Sequence, residues 1–194
     1  MLPLPEPYLL SDKTLMEFDY PRNKNYPLTE SWDLGGVALN DTSEEANEYS
    51  WFAWTDGEYI YLKREDLEAV TILVNDVDIT EIDFTFDQNM RPCVAYLSNH
   101  ISKLMWYDTA LAKEVTTVFP KEVQRPRVAM DDKRRFAIAN SDMIFAYQRD
   151  RSLYYRIQRE RFQEEHLIAT DLEVERFLWR IGMGRGSRFL FFWR

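Results

Sequence analysis

From residue 35 onward, short apolar runs recur along this chain, each closed by an acidic, amide or glycine-containing turn. Brief runs with period-two alternation and turn residues at both ends are the pattern of strands rather than helices. Three segments open alike: Val37-Ala38-Leu39-Asn40-Asp41, Phe84-Thr85-Phe86-Asp87-Gln88 and Val128-Ala129-Met130-Asp131-Asp132. A second run follows in each, Trp51-Phe52-Ala53-Trp54, Cys93-Val94-Ala95-Tyr96 and Met143-Ile144-Phe145-Ala146-Tyr147. Polar turns come next, at Thr55-Asp56-Gly57, Ser98-Asn99-His100 and Arg149-Asp150-Arg151-Ser152, whose residues tolerate the backbone of a tight hairpin. Out of each turn runs a third strand: Tyr59-Ile60-Tyr61-Leu62, Leu104-Met105-Trp106-Tyr107 and Leu153-Tyr154-Tyr155-Arg156. A fourth is read at Ala69-Val70-Thr71-Ile72-Leu73 and Val115-Thr116-Thr117-Val118-Phe119.

Asn40, Asp87 and Asp131 are spaced by 47 and 44 residues. Four short strands per repeat at that period match the size class of a propeller blade, a unit that buries its faces only by stacking on neighbours. The expected fold is mainly β: about three four-stranded propeller-blade-like repeats at 35–80, 81–125 and 126–172, with an extended N-terminal arm. Three blades are fewer than the roughly 4–8 of a closed ring. A strained or split propeller and a twisted β-sandwich both accept the pattern. The end of the third repeat is ambiguous, because the charged run from Ile157 to Leu167 suits a helix, whereas the frame of the second repeat makes Glu165-His166-Leu167-Ile168-Ala169 a strand. The strand reading is preferred.

Residues 1–34 contain Pro3, Pro5, Pro7, Pro21 and Pro27 and show neither helical nor alternating period, which predicts an extended arm. Tyr8, Leu9, Leu10, Phe18, Tyr20 and Trp32 are its candidate anchors, on a neighbouring subunit or on its own domain. The segment 173–194 is aromatic and Arg-rich, and has no acid after Glu175. Its run Phe189-Leu190-Phe191-Phe192-Trp193 must pair as a strand or bury against a partner.

Composition adds three constraints. With 45% hydrophobic residues among 194, the chain has enough apolar surface for a real core, and 15% aromatics favour strands and interfaces. Cys93 is the sole cysteine, so no intrachain disulfide forms, and a reducing compartment is expected. The first residues lack the basic start and apolar core of a signal peptide, and no apolar run approaches the ~20 residues that span a bilayer, so a soluble protein is expected. The net charge of −9 is divided unevenly: −14 over residues 1–100 and +5 over residues 101–194. Opposite patches of this kind steer head-to-tail packing between copies, although solvation of the surface explains them equally well.

Little in the chain points to chemistry. His100 and His166 stand in no motif that supplies a nucleophile or a second ligand, and Cys93 lies within a strand, where a thiol is a small hydrophobe. Gly182-Met183-Gly184-Arg185-Gly186 lacks the Lys-Ser/Thr of a phosphate loop. The acids at Glu65-Asp66, Asp76/Asp78 and Asp131-Asp132 follow no calcium-loop spacing and read as turn residues. No catalytic residue, cofactor or metal is therefore expected. The stretch from Arg149 to Phe162 interleaves Arg with Tyr, as a single-strand nucleic-acid groove would, but the acidic remainder of the chain makes a protein interface the better reading. Tyr8, Trp32, Tyr154, Tyr155, Arg156, Arg159, Phe191, Phe192 and Trp193 are the candidate interface residues.

Four segments carry a family resemblance: Phe84-Thr85-Phe86-Asp87-Gln88-Asn89-Met90-Arg91-Pro92-Cys93-Val94-Ala95-Tyr96, Trp106-Tyr107-Asp108, Ser141-Asp142-Met143-Ile144-Phe145-Ala146-Tyr147 and Leu153-Tyr154-Tyr155-Arg156-Ile157-Gln158-Arg159-Glu160-Arg161-Phe162. Over roughly residues 35–190 the chain resembles a family of small tail-region proteins of tailed bacteriophages. That resemblance implies a non-enzymatic structural component of the virion tail, made in the host cytoplasm and present in several copies around the tail axis. Its implied partners are other tail, nozzle or fibre proteins, with a host glycan or receptor as the alternative. No functional residue is carried over, because the family supplies no catalytic motif to match.

Overall fold

The structure is a computed structural model that describes residues 28–36, 48–87, 89–130, 142–170, 178–183 and 189–193. It is mainly β. The first sheet contains β1 (Glu30–Gly36), β2 (Glu48–Thr55), β3 (Tyr59–Arg64) and β4 (Val70–Asn75), each antiparallel to the next. The second contains β5 (Ile79–Phe86), β6 (Pro92–Ser98), β7 (Ile101–Asp108) and β8 (Lys113–Val118). The third contains β9 (Gln124–Met130), β10 (Met143–Arg149), β11 (Ser152–Ile157) and β12 (His166–Ala169). A two-stranded sheet, β13 (Leu178–Met183) with β14 (Phe189–Trp193), follows, so the aromatic C-terminal run is paired as a strand.

The turns explain the meander. Asn99 (φ 49°) and His100 (φ 61°) both take the left-handed backbone between β6 and β7, as a two-residue type I′ hairpin requires. Gly57 (φ 103°) does the same between β2 and β3. After β11 the chain makes one 3-10 turn, Gln158–Glu160, and then enters β12, so the end of the third sheet is a strand and not a helix.

Each sheet opens earlier than its apolar pattern indicates. The first strands are Glu30–Gly36, Ile79–Phe86 and Gln124–Met130, against starts expected near residues 37, 84 and 128. Val37-Ala38-Leu39-Asn40-Asp41 lies outside the described residues. Trp32, assigned to the arm from its sequence, stands on β1, paired with Phe52 across the ladder. The physical reason is that the early halves of these strands carry Asp33, Glu81, Asp83, Arg125 and Arg127, charges that read as loop until their buried partners are known. Pro126 adds to the disguise, and it is accommodated at a bulge where β9 shifts register against β10.

The sheets stack face to face, and the alternation along each strand selects which neighbour a side chain meets rather than inside against outside. From the second sheet, Val94, Tyr96 and Met105 join Ala53, Ile60, Leu62 and Val74 of the first in one core. Cys93, Ala95, Leu104 and Trp106, on the opposite face, join Met143, Phe145, Tyr147 and Phe162 of the third. Ile144, Ala146, Leu153, Tyr155 and Ile157 then face Leu178 and Ile181 of β13. A sheet buried on both faces reads as a near-continuous apolar run, as in Pro92–Ser98 and Met143–Arg149. The opening strands are also neighbours: β5 packs on β1, β9 on β5 and β13 on β9. Among the described residues, the stack does not close into a ring.

Candidate functional site

The opening strands meet through a polar seam. Ser31 Oγ donates to Asp83 (2.8 Å), which also accepts the Val128 backbone N–H (3.0 Å). Thr85 Oγ1 donates to Asp33 (2.8 Å). Glu81 receives Arg125 on one oxygen and Arg127 Nη2 on the other (3.1 Å), and Arg127 also reaches the carbonyl of its neighbour Pro126 (2.6 Å). Glu81, Asp83, Thr85 and Arg127 are all buried, Arg127 to 1% exposure. A charge taken that far out of water persists only when paired and hydrogen-bonded, so the seam fixes how each sheet sits on the next. Its residues are an omission of the sequence reading. The signal that could have found them is a pair of acids two residues apart in an otherwise uncharged β segment, Glu81 and Asp83 in Ile79–Phe86.

A second network ties the third sheet to the second. Glu165 takes both guanidinium nitrogens of Arg149 (2.8 and 2.7 Å), the hydroxyl of Tyr147 and one nitrogen of Arg156 (3.4 Å). Arg156 further donates to the Phe162 and Gln163 carbonyls (3.0 and 2.8 Å). Arg149 lies 4.3 Å from the Tyr154 ring centre, Tyr154 stacks on Tyr147, and Phe119 stacks on Phe145 at 4.3 Å. Trp106 meets Phe162 edge to face at 5.0 Å and donates its indole N–H to Thr117, while Arg161 pairs with Asp108. Burial pushes the Glu165 carboxyl up, but hydrogen bonds from Tyr147 and Arg149 and the charges of Arg149 and Arg156 outweigh it and hold the group below its ordinary value of 4.5. Burial and the bond to Glu165 push the Tyr147 phenol up to about 12.

The sign of this linkage sets a pH dependence. A carboxylate held low in the folded state contributes stability above its unfolded pKa and loses it as pH falls through the folded one. The melting temperature should therefore hold from pH 7 down to the ordinary glutamate range and fall below it. A Glu165→Gln variant should show a smaller fall over that acid window, measured by thermal melts from pH 7 to 3.

Of the candidate interface residues, Tyr154 and Arg156 lie within this network, and Tyr155 is buried, its ring stacked on His166 at 4.8 Å. Arg159 is bound to Asp142 while its side chain keeps 43% exposure. Trp32 lies on β1, and Phe191, Phe192 and Trp193 lie on β14 opposite Ile181, Arg180 and Leu178. Tyr8 lies outside the described residues. The structure thus groups the Arg and Tyr residues of β10 and β11 and leaves Trp32 and the C-terminal aromatics on other strands.

An aromatic platform stands on the first sheet. Trp54 and Tyr61, cross-strand partners on β2 and β3, stack at 5.4 Å, with Tyr59 6.0 Å from Tyr61, and all three are half-buried. Asp56 accepts the Glu58 and Tyr59 amides (3.0 and 2.8 Å) and the Tyr61 hydroxyl (2.7 Å), which hold its carboxyl low. Flat rings beside a fixed acceptor are what a pyranose face and its hydroxyls require. Trp106, by contrast, is buried at 4% and belongs to the core.

The other reactive residue types are placed as follows. Burial, with the charges of Asp87 and Asp83, pushes the Cys93 thiol far up, which suppresses its thiolate. His100 serves in the β6–β7 turn. His166 Nε2 lies 2.7 Å from Glu160, and with Glu164 these three form a group whose ligand atoms lie within 4.8 Å of one another. They are the residues, among those described, that could hold a divalent ion. Asp87, Asp108 and Asp142 each accept backbone amides in turns, Asp87 from Asn89 and Arg91, Asp108 from Ala110 and Leu111, and Asp142 from Arg159. No helix among the described residues is long and apolar enough to cross a membrane. Comparisons of the chain with family models, with curated proteins and with solved structures found no match.

Proposed function

We propose that the protein is a non-enzymatic structural component of a bacteriophage tail, a scaffold or adaptor of propeller-blade-like sheets that contacts neighbouring tail, nozzle or fibre subunits in a symmetric assembly. The observation that carries the reading is where the family-like segments fall. Phe84, Cys93, Ala95, Tyr96, Trp106, Phe145, Tyr147, Tyr155 and Phe162 are all buried in the cores between successive sheets, and buried Asp108 pairs with Arg161 from the third sheet's loop. The resemblance therefore follows the residues that make sheets stack, as suits a part whose job is shape. Opening strands that neighbour one another from sheet to sheet support the blade comparison. Synthesis in the host cytoplasm and a final place in the virion tail belong to the same reading.

Its test is composition of the particle. Quantitative mass spectrometry of purified virions should find this chain at a copy number equal to a rotational symmetry of the tail. Its absence from intact particles would overturn the reading.

The second reading is a carbohydrate- or receptor-binding module, favoured by the Trp54, Tyr59 and Tyr61 platform with Asp56 beside it. Glycan-array binding by the pure protein that is lost in Trp54→Ala would establish it.

A further inference from the structure

The loop that leads from β11 to β12 is held in place from within. Arg161 (φ 53°) and Phe162 (φ 57°) both take the left-handed backbone and reverse the chain after the 3-10 turn. Arg161 pairs with Asp108, and Phe162 is buried at 1% exposure against Trp106. Arg156 donates to the Phe162 and Gln163 carbonyls, and the Gln163 amide donates to the Glu160 carbonyl (3.0 Å). Glu165 turns to Tyr147, Arg149 and Arg156. Glu160, Glu164 and His166 converge instead on one another, with their ligand atoms all within 4.8 Å. We propose that these three residues bind a divalent transition-metal ion, zinc in preference to calcium or magnesium.

The donor set selects the ion. An imidazole nitrogen with two carboxylate oxygens suits zinc, whereas calcium and magnesium take oxygen ligands. The site is partly open, with the His166 side chain 29% and the Glu160 side chain 24% exposed, so three protein ligands leave the fourth tetrahedral position to water.

The imidazole sets this group apart from a patch of surface acids. His166 opens β12, and its ring is fixed by stacking at 4.8 Å on Tyr155, its cross-strand partner. Its Nε2 is aimed at Glu160 Oε2, 2.7 Å away. Ligands of one tetrahedral zinc stand roughly 3.3 Å apart, for bonds of about 2.0–2.2 Å. Insertion of the ion therefore opens the His166–Glu160 contact slightly and draws in Glu164, the exposed member, by rotation of its side chain. Two carboxylates that the loop holds together repel each other, and a dication between them reverses the sign of that interaction. The bound ion clips the start of the four-residue strand β12 to the 3-10 turn.

Calorimetric titration of the full chain with zinc chloride tests this. One zinc should bind per chain, more tightly than calcium or magnesium. Zinc should also slow hydrogen–deuterium exchange over residues 158–169 and leave 92–98 unchanged. Glu164→Gln and His166→Ala should each weaken zinc binding at least about tenfold, since even a residue that only supports a metal ligand counts on that scale. His100→Asn, in the β6–β7 turn, should leave it unchanged. Where His166→Ala is too unstable to measure, Glu164→Gln decides, because it alters an exposed side chain. Absence of saturable zinc binding, or binding as tight in both variants as in the wild type, would overturn the site. Tighter binding of calcium or magnesium than of zinc would overturn the choice of ion. The site goes beyond the phage-tail reading and is independent of it, so either can fail alone.

Discussion

Replacing Glu81 by alanine should lower the unfolding free energy by about 3–5 kcal/mol, as expected when one partner of a buried charge pair is removed. Glu81 on β5 holds Arg125 and Arg127 of β9, and the Arg127 side chain is only 2% exposed. Without that carboxylate, the Arg127 guanidinium stays in the seam with much of its desolvation uncompensated. Glu81→Gln keeps the shape and one acceptor and should cost less. Urea denaturation of the three proteins measures both differences. Equal stability of wild type and Glu81→Ala would mean that the seam does not hold the second and third sheets in register.

Trp106→Ala should cost a similar amount, about 3–5 kcal/mol, by opening a cavity between those sheets. Its indole fills the space against Phe162 and satisfies Thr117, so neither neighbour retains its partner after truncation. Trp54→Ala is the contrasting substitution. It removes a half-buried surface ring stacked on Tyr61 and should cost about 1 kcal/mol, the scale of an aromatic pair. Melting of the two variants side by side checks the distinction. It also decides what a binding experiment means, since lost glycan binding is interpretable for Trp54→Ala and uninterpretable for a Trp106→Ala protein that has unfolded. If Trp54→Ala proves as damaging as Trp106→Ala, the platform belongs to the core.

The two networks suggest different tolerances. Every sheet contact combines an apolar core with at least one side-chain hydrogen bond across the sheets, down to Gln148, which accepts the Leu178 amide at 2.8 Å and so orients β13. Apolar cores accept volume-conserving exchange, whereas a buried donor or acceptor that loses its partner carries its full desolvation cost. Substitutions in the seam should therefore be less forgiving than those at Val94 or Leu104.

By itself the sequence determined the strands whose neighbours lie close along the chain. The second, third and fourth strands of each sheet, and the Asn99-His100 and Asp56-Gly57 turns, were legible because alternation and turn chemistry are local. It also indicated that Phe189-Leu190-Phe191-Phe192-Trp193 had to pair as a strand or bury against a partner, because such a run is too apolar to stand in water. Only the tertiary structure decided where the opening strands begin and the fate of the Arg and Tyr residues. Asp83 finds Ser31 and Val128, Arg127 finds Glu81, and Arg161 finds Asp108, partners 45 to 53 residues apart. At the level of sequence, such charges weaken the strand pattern. Arg149, Tyr154 and Arg156 likewise read as a free binding surface until Glu165 and Tyr147 are seen to occupy them. The reason is general to stacked sheets: when both faces of a sheet are buried, a polar residue inside it is explained by the neighbouring sheet, and local pattern carries no information about that neighbour.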